Sequence, residues 1–314
     1  MHILTRKELA VLETRYDILD SFLSRSACRA ECGYPLFRCS TFRIGGPADY
    51  AVWPDDAQTL CDLLTLLEEN AIRYLVIGNG SDFLFDDRGF RGVIVVTSHM
   101  REVSVDGTVL TADCGASLLS VTRAARDAGL SGLEFAYGIP GSCGGAVFMN
   151  AGAYGGEISD VLCEAVAWDR DRRQIVTLSR EMCAFGYRQS AFQAGGLILL
   201  RARFSLTPAA RDAVGEKMEE LMRRRVEKQP LEFPSAGSVF KRACGHYTGQ
   251  MIEEAGLKGK RIGGAAVSEK HAGFIVNMGG ATSSDVLALI ALIREEIMER
   301  FGVALECEIR YCEP

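Results

Sequence analysis

Apolar positions along the chain switch between helical and strand spacing, and this decides most of the predicted elements. Leu60, Leu63, Leu64 and Leu67 fall on one helical face, with Asp55 or Asp56 placed to cap it. Ser117 to Ala128 reads as a helix that Gly129 ends. Ala209 to about Lys228 gives a charged helix after Pro208, and Tyr247–Ala255 a short one before Gly256. Thr282 caps a last helix with Val286, Leu289, Ile290, Ile293 and Ile297 on one side. Leu9, Leu12, Tyr16, Leu19 and Leu23 predict an N-terminal helix from Lys7 to about Ser24.

Strands are predicted at Tyr50–Trp53, Tyr74–Ile77 and Val93–Thr97. Val103–Val105 and Val109–Ala112 form a hairpin through Asp106-Gly107. Val161–Trp168 and Gln174–Leu178 pair around Asp169–Arg173, and Ile198–Ser205 follows. Ile262–Val267, Phe274–Asn277 and Ala304–Tyr311 come last, the alternation of the final strand placing Glu306, Glu308 and Arg310 on one side. Without a steady strand–helix rhythm, the class is α+β rather than a doubly wound sheet.

Composition narrows the field. A chain of 314 residues, 48% apolar and 24% charged, is ordinary for a soluble globular protein of two or three domains. A net charge of −6 gives no sign of a nucleic-acid surface, and no apolar run is long enough for a membrane span. The charged, amphipathic N-terminus is unlike a signal peptide, which predicts a cytoplasmic protein. Its 11 cysteines are odd in number and form no Cys-x-x-Cys pair, so reduced thiols are expected rather than disulfides or zinc ligands.

The chemistry is expected in two glycine-rich stretches. Gly138–Gly156, GIPGSCGGAVFMNAGAYGG, reads as a loop offering bare backbone N–H groups of the kind that bind phosphate oxygens, then a buried segment from Ala146-Val147. A flexible linker is the rival reading, but Ile139, Phe148, Met149 and Tyr154 do not suit one. Gly78-Asn79-Gly80-Ser81-Asp82 directly follows a strand. Phe83 stands where a dinucleotide fingerprint needs its third glycine, and Gly256–Lys260 has the wrong spacing for a Walker loop. The two stretches read as two hands on a pyrophosphate-bearing cofactor. Gly45-Gly46-Pro47 is either a tight turn or a close approach to a ligand. Taken alone, Arg188 is a surface arginine, Ser238 a turn serine and Glu308 a solvent-facing strand residue. Arg223-Arg224-Arg225 is a solvated helix face or a phosphate contact.

An ordered set of motifs adds to this. Thr41–Ala48, Gly78–Ser81, Gly132–Phe135 with Gly138–Gly156, Tyr187–Phe192, Pro234–Lys241, Gly256–Gly259, Val267–His271 and Leu305–Glu308 resemble the UDP-N-acetylenolpyruvoylglucosamine reductase family. The match runs from about residue 40 onward, in the shorter form that lacks an additional tyrosine-bearing loop. The resemblance implies an FAD-binding fold of the vanillyl-alcohol-oxidase type, in two subdomains over 39–206. An N-terminal helix and lead-in over 1–38 would precede it, and a C-terminal α/β substrate-binding domain over 207–314 would follow. It further implies FAD as cofactor, NADPH as hydride donor, a UDP-sugar substrate and a cytoplasmic, monomeric enzyme of peptidoglycan precursor synthesis, with no nucleic-acid, membrane or metal partner.

Residue by residue, the resemblance assigns catalysis to Arg188, Ser238 and Glu308. Cofactor contacts fall to Gly78, Asn79, Gly80, Ser81, Asp82, Gly138, Ile139, Pro140, Gly141, Ser142, Gly144, Gly145, Ala146, Asn150 and Gly152. Substrate contacts fall to Tyr187, Lys241, Arg242, Arg225 and His271, the last with a purely structural role as its rival. Lys241 is also the candidate cation beside Ser238. Ser40, Asp82, Ala243 and Gly273 depart from residues common in the family, and Asp82 puts a carboxyl near a diphosphate at a Coulomb cost. Two other readings stand beside this one: another FAD-dependent oxidoreductase of the same fold acting on a sugar or hydroxy acid, and a flavin-free binding protein.

Overall fold

The computed structural model describes residues 16–26, 28–243 and 246–314. Residues 16–23 are helical; the earlier part of the expected N-terminal helix, and Cys244, lie outside the described residues.

The first sheet orders Arg29–Pro35, Pro47–Trp53, Phe90–Val96 and Tyr74–Ile77. The last three run parallel and the first antiparallel. Both faces are covered, as parallel strands require. Val93 and Val95 point to one core with Leu60, Leu63, Leu64 and Leu67 of the helix Ala57–Glu69, while Ile94 and Val96 point to another. Asp56 caps that helix, accepting from the Thr59 N–H at 2.8 Å. Asp55 turns away to His99 at 2.8 Å. Arg29–Pro35 escapes the pattern reading because charged and polar residues interrupt it, as suits an edge strand.

A second, antiparallel sheet orders Gln174–Ser179, Leu162–Asp169, Leu197–Ser205, Val109–Asp113 and Val103–Asp106. The helix Leu118–Asp127 packs here, capped by Ser117. So does Cys143–Met149, a helix where a glycine loop followed by a buried segment is expected. Ser142 Oγ accepts from the Gly145 N–H at 3.2 Å and starts it. Cys143, Ala146 and Val147 are buried at helical spacing, a signal that the surrounding glycines mask.

The third sheet orders Ser235–Ser238, Phe274–Asn277, Ala265–Val267 and Arg261–Ile262, all antiparallel. Ser235–Ser238 is thus an edge strand and not only a turn, and Gly263-Gly264 splits the expected strand 262–267 into a hairpin. The helix Ser283–Phe301 lays its predicted apolar stripe into this core. The expected strand Ala304–Tyr311 shrinks to Arg310–Cys312, after an irregular run with one bridge between Cys307 and Phe240. Freed from strict alternation, exposed Glu306 pairs with Lys241 at 2.5 Å while Glu308 turns inward.

Several contacts tie this region to the others. Arg310–Cys312 runs parallel to Phe83–Phe85, a strand that the sequence pattern does not predict. Phe42 and Ile44 are buried in the third core, and Thr41 Oγ1 donates to the Ser235 carbonyl at 2.7 Å. Gly46 hydrogen-bonds the backbone of Asp86 and Leu36, both at 2.9 Å, so the Gly45-Gly46-Pro47 approach is to protein. Finally, Asp87 caps Ser283–Phe301 from outside, accepting from Ser283 N–H at 2.9 Å and Oγ at 2.7 Å. No helix among the described residues is long and apolar enough to cross a membrane.

Candidate active site

Where the three sheets meet lies a cavity of about 820 Å³. One wall is Gly78–Asp82; another carries Ile139, Pro140, Gly141, Ser142, Gly144, Gly145, Ala146 and Gly152. The two loops lie flank to flank. A Cβ on Gly78 would stand 2.0 Å from Ser142 Oγ, and Asn79 Nδ2 donates to the Pro140 carbonyl at 3.4 Å. A second hollow of about 560 Å³ shares Gly78, Asn79, Ile139, Pro140 and Gly141 and adds Arg38, Arg43, Ser98 and Ser117. The shared wall suits an elongated ligand.

Two of the expected cofactor residues are not on these walls. Gly138, at φ +84°, leaves room for a neighbour: a Cβ there would sit 3.2 Å from Arg225 Cδ. Asn150 is buried and ends its helix in the left-handed conformation. Its Nδ2 donates to the Gly186 carbonyl at 3.0 Å and its Oδ1 accepts from the Ser159 N–H at 2.9 Å. Both residues shape the wall from behind.

Arg188, Ser238 and Glu308 all line the cavity. Arg188 sits third in a four-residue turn closed by Gly186 and Gln189, at φ +54°, a position turns usually give to glycine or asparagine. The strain costs on the order of 1 kcal/mol. Arg188 Nε donates to Glu308 Oε1 at 2.7 Å and Nη2 to the Gly152 carbonyl at 3.1 Å, which offsets it. Burial raises the Glu308 pKa, opposed by the Arg188 guanidinium. Ser238 ends the edge strand opposite Phe274.

Sequence reasoning passed over Arg310 as a site residue. It lines the cavity, its guanidinium carbon 4.9 Å from the Phe83 ring and 4.7 Å from the Phe148 ring. The signal was its offset of two from Glu308. Beside it, Asp82 is half-buried, and its Oδ2 is enclosed with no hydrogen-bond partner among the described residues. Burial first, then the Glu308 charge, push its carboxyl up to about 8 against the pull of Arg310 and Arg188.

Of the expected substrate residues, Tyr187, Arg225, Arg242 and His271 reach the cavity. Tyr187 Oη accepts from the Arg242 N–H at 3.2 Å. His271 Nδ1 accepts from the Gly273 N–H at 3.1 Å, leaving the ring proton on Nε2, and burial lowers its pKa. Arg225 is 5% exposed; its Nη1 meets Gln229 Oε1 at 3.2 Å, while Nε and Nη2 are buried without partners. Such orphaned donors are costly, and an anion could satisfy them. Lys241 is not on the wall, its ammonium being held by Glu306.

Comparison with known proteins gives this architecture its relatives. Residues 48–177 match an FAD binding domain, and residues 229–312 match the C-terminal domain of UDP-N-acetylenolpyruvoylglucosamine reductase. The reductase of Caldicellulosiruptor bescii is 47% identical over 294 residues, covering 93% of each chain. That of Latilactobacillus sakei is 49% identical over 276 residues, 88% of this chain and 91% of that one. The crystal structure of the Thermus caldophilus UDP-N-acetylenolpyruvylglucosamine reductase superposes with a TM-score of 0.77 at 32% identity, covering 90% of this chain and 98% of that chain. With near full-length identity approaching one half and both of its regions matched, the chain belongs to the UDP-N-acetylenolpyruvoylglucosamine reductase family.

Proposed function

We propose that the protein reduces UDP-N-acetylglucosamine enolpyruvate to UDP-N-acetylmuramate, with FAD as resident cofactor, NADPH as hydride donor and a cytoplasmic monomer as the working form. The observation that carries this reading is the convergence of Arg188, Ser238 and Glu308 on one cavity walled by two glycine loops. The residues fit the cofactor: the loops pack closely enough to present backbone along a wall shared by two hollows. Gly78–Ser81 and Gly141–Ala146 would hold it. The chemistry supplied by bound FAD is hydride transfer, taken from reduced nicotinamide and passed to the enol-ether β-carbon.

The chain's own residues do the rest. Arg188, oriented by Glu308, binds the substrate carboxylate and stabilises the negative charge that spreads into it from the α-carbon. A well-placed donor of this kind is worth about 3–4 kcal/mol. Ser238 delivers the proton to that carbon. A serine hydroxyl is a weak acid, so it needs cations nearby, and Arg242 and Arg310 on the wall meet that need better than Lys241, which Glu306 holds. Arg225 offers its unpaired Nε and Nη2 to the substrate's phosphates. His271 presents a neutral Nε2–H to the substrate.

The test is spectroscopic. Purified protein shows an oxidised-flavin absorbance that NADPH bleaches without oxygen and the enolpyruvyl sugar nucleotide restores. A protein that takes up no FAD, or stays bleached after that substrate is added, does not have this function.

A further inference from the structure

Arg188, Glu308, Arg310 and Asp82 form one electrostatic cluster on the cavity wall. They come from three separate stretches: the turn at 187–188, the segment entering Arg310–Cys312, and the loop after Tyr74–Ile77. The Asp82 carbonyl accepts from the Arg310 N–H at 2.8 Å, which fixes the loop against that strand. The side chains divide differently. Arg188 spends its Nε on Glu308 and its Nη2 on the Gly152 carbonyl, so Glu308 has a charged partner at 2.7 Å. Asp82 Oδ2 is enclosed without any donor among the described residues.

An ionised carboxylate in that position would be stripped of water at Oδ2 and receive no hydrogen bond there in return. It would also lie beside Glu308, whose charge Arg188 keeps in place. A proton on Asp82 removes both penalties. We propose that Asp82 stands in the site as a neutral carboxylic acid, so that the cluster carries a single net positive charge, and that this charge receives the substrate carboxylate.

The charge count gives the consequence. Two arginines against one ionised glutamate leave one positive charge, which complements one incoming carboxylate. Once Asp82 ionises, the cluster is neutral and an anion gains less by entering. Asp82 is then a positioning residue: it sets the charge state of the groups that touch the substrate. The groups facing it are Glu308, Arg310 and Arg188; the first favours its neutral form and the two arginines oppose it. The substrate half of this inference rests on the proposed reductase function; the protonation half does not.

The experiment has two arms, on FAD-loaded enzyme and its Asp82→Asn variant, which carries a neutral amide of similar shape. The first arm is the infrared carbonyl stretch of a protonated carboxylic acid. Wild type shows it at neutral pH and loses it at alkaline pH, and the Asp82→Asn spectrum lacks that titrating band. Absence of the band from wild type at neutral pH overturns the proposal, whatever the enzyme turns over. The second arm is KM for the enolpyruvyl sugar nucleotide against pH. In wild type it climbs above the infrared transition, by up to about tenfold per pH unit for one proton, and in Asp82→Asn that climb is absent. Identical pH profiles in the two proteins overturn the charge-setting role. If wild type does not turn over the sugar nucleotide at all, the reductase reading fails, and the infrared arm still decides the protonation state.

Discussion

Arg188 and Glu308 stand 120 positions apart in the chain and meet at 2.7 Å, both side chains mostly withdrawn from solvent. The pair orients a cation whose other anchor is the Gly152 carbonyl. Glu308→Gln removes the charge that holds it. Reduction of flavin by NADPH should be nearly unaffected, while reoxidation by the enol ether slows about a hundredfold or more. Stopped-flow measurement of the two half-reactions checks this, and equal slowing of both would remove Glu308 from the second step.

Ser238→Ala should divide the half-reactions in the same way, with one difference. In the proposed reaction a proton donor acts after the carboxylate is bound, so on that reading KM changes little and kcat carries the loss. Kinetics in heavy water offer a check: the solvent isotope effect of wild type should change in the variant. An unaltered isotope effect and rate would leave Ser238 as a strand-end serine.

Arg225→Met separates stability from binding. The guanidinium is buried with Nε and Nη2 unpartnered, and burial lowers its pKa. Methionine fills a similar volume without an ion to desolvate, so the ligand-free protein should gain on the order of 1 kcal/mol. The urea midpoint reads that gain. Affinity for the sugar nucleotide, measured by calorimetry, should fall in the same variant. A variant that is both less stable and unchanged in affinity would make Arg225 a packing residue.

Asp82 also leaves a mark on folding. Its pKa rises from 3.8 unfolded to about 8 folded, so the native state binds the extra proton between those values. A raised folded pKa means stability that is fully present below 3.8 and lost as the pH climbs through about 8. Relative to Asp82→Asn, which cannot titrate there, wild type should therefore weaken steadily across that window and level off above it. Denaturant midpoints of both proteins, taken across the window, test the sign. A difference that stays constant with pH contradicts the shift.

Elements with a regular apolar period were legible from sequence: the leucine helix Ala57–Glu69, the hairpin at Gly107 and the capped helix Ser283–Phe301. Those set by long-range contact were not. The strand Phe83–Phe85 is not predicted because its pairing partner lies beyond residue 300, and the helix Cys143–Met149 is not predicted because glycine content hides the spacing of its buried triplet. In the site, the glycine loops could be read from local chemistry. Arg188, Ser238 and Glu308 could not, since each is unremarkable in its own neighbourhood, and only the motif order pointed to them. Arg310 was missed because a strand expected to reach from Ala304 to Tyr311 hid the irregular run that turns Glu308 and Arg310 inward while Glu306 stays outside.

The parallel pairing of Phe83–Phe85 with Arg310–Cys312 has a bearing on biosynthesis. Tyr311 Oη reaches Asp86 across 225 residues, and Phe83, Leu84 and Phe85 are all buried in the finished protein. While the ribosome is still making the intervening chain, that apolar strand has no neighbour along its edge and stays open to chaperones or to a wrong pairing. The glycine loop next to it, whose Asp82 carbonyl accepts from the Arg310 N–H, is likewise unfinished, so a fragment ending before the third sheet would expose apolar surface and lack a closed cavity.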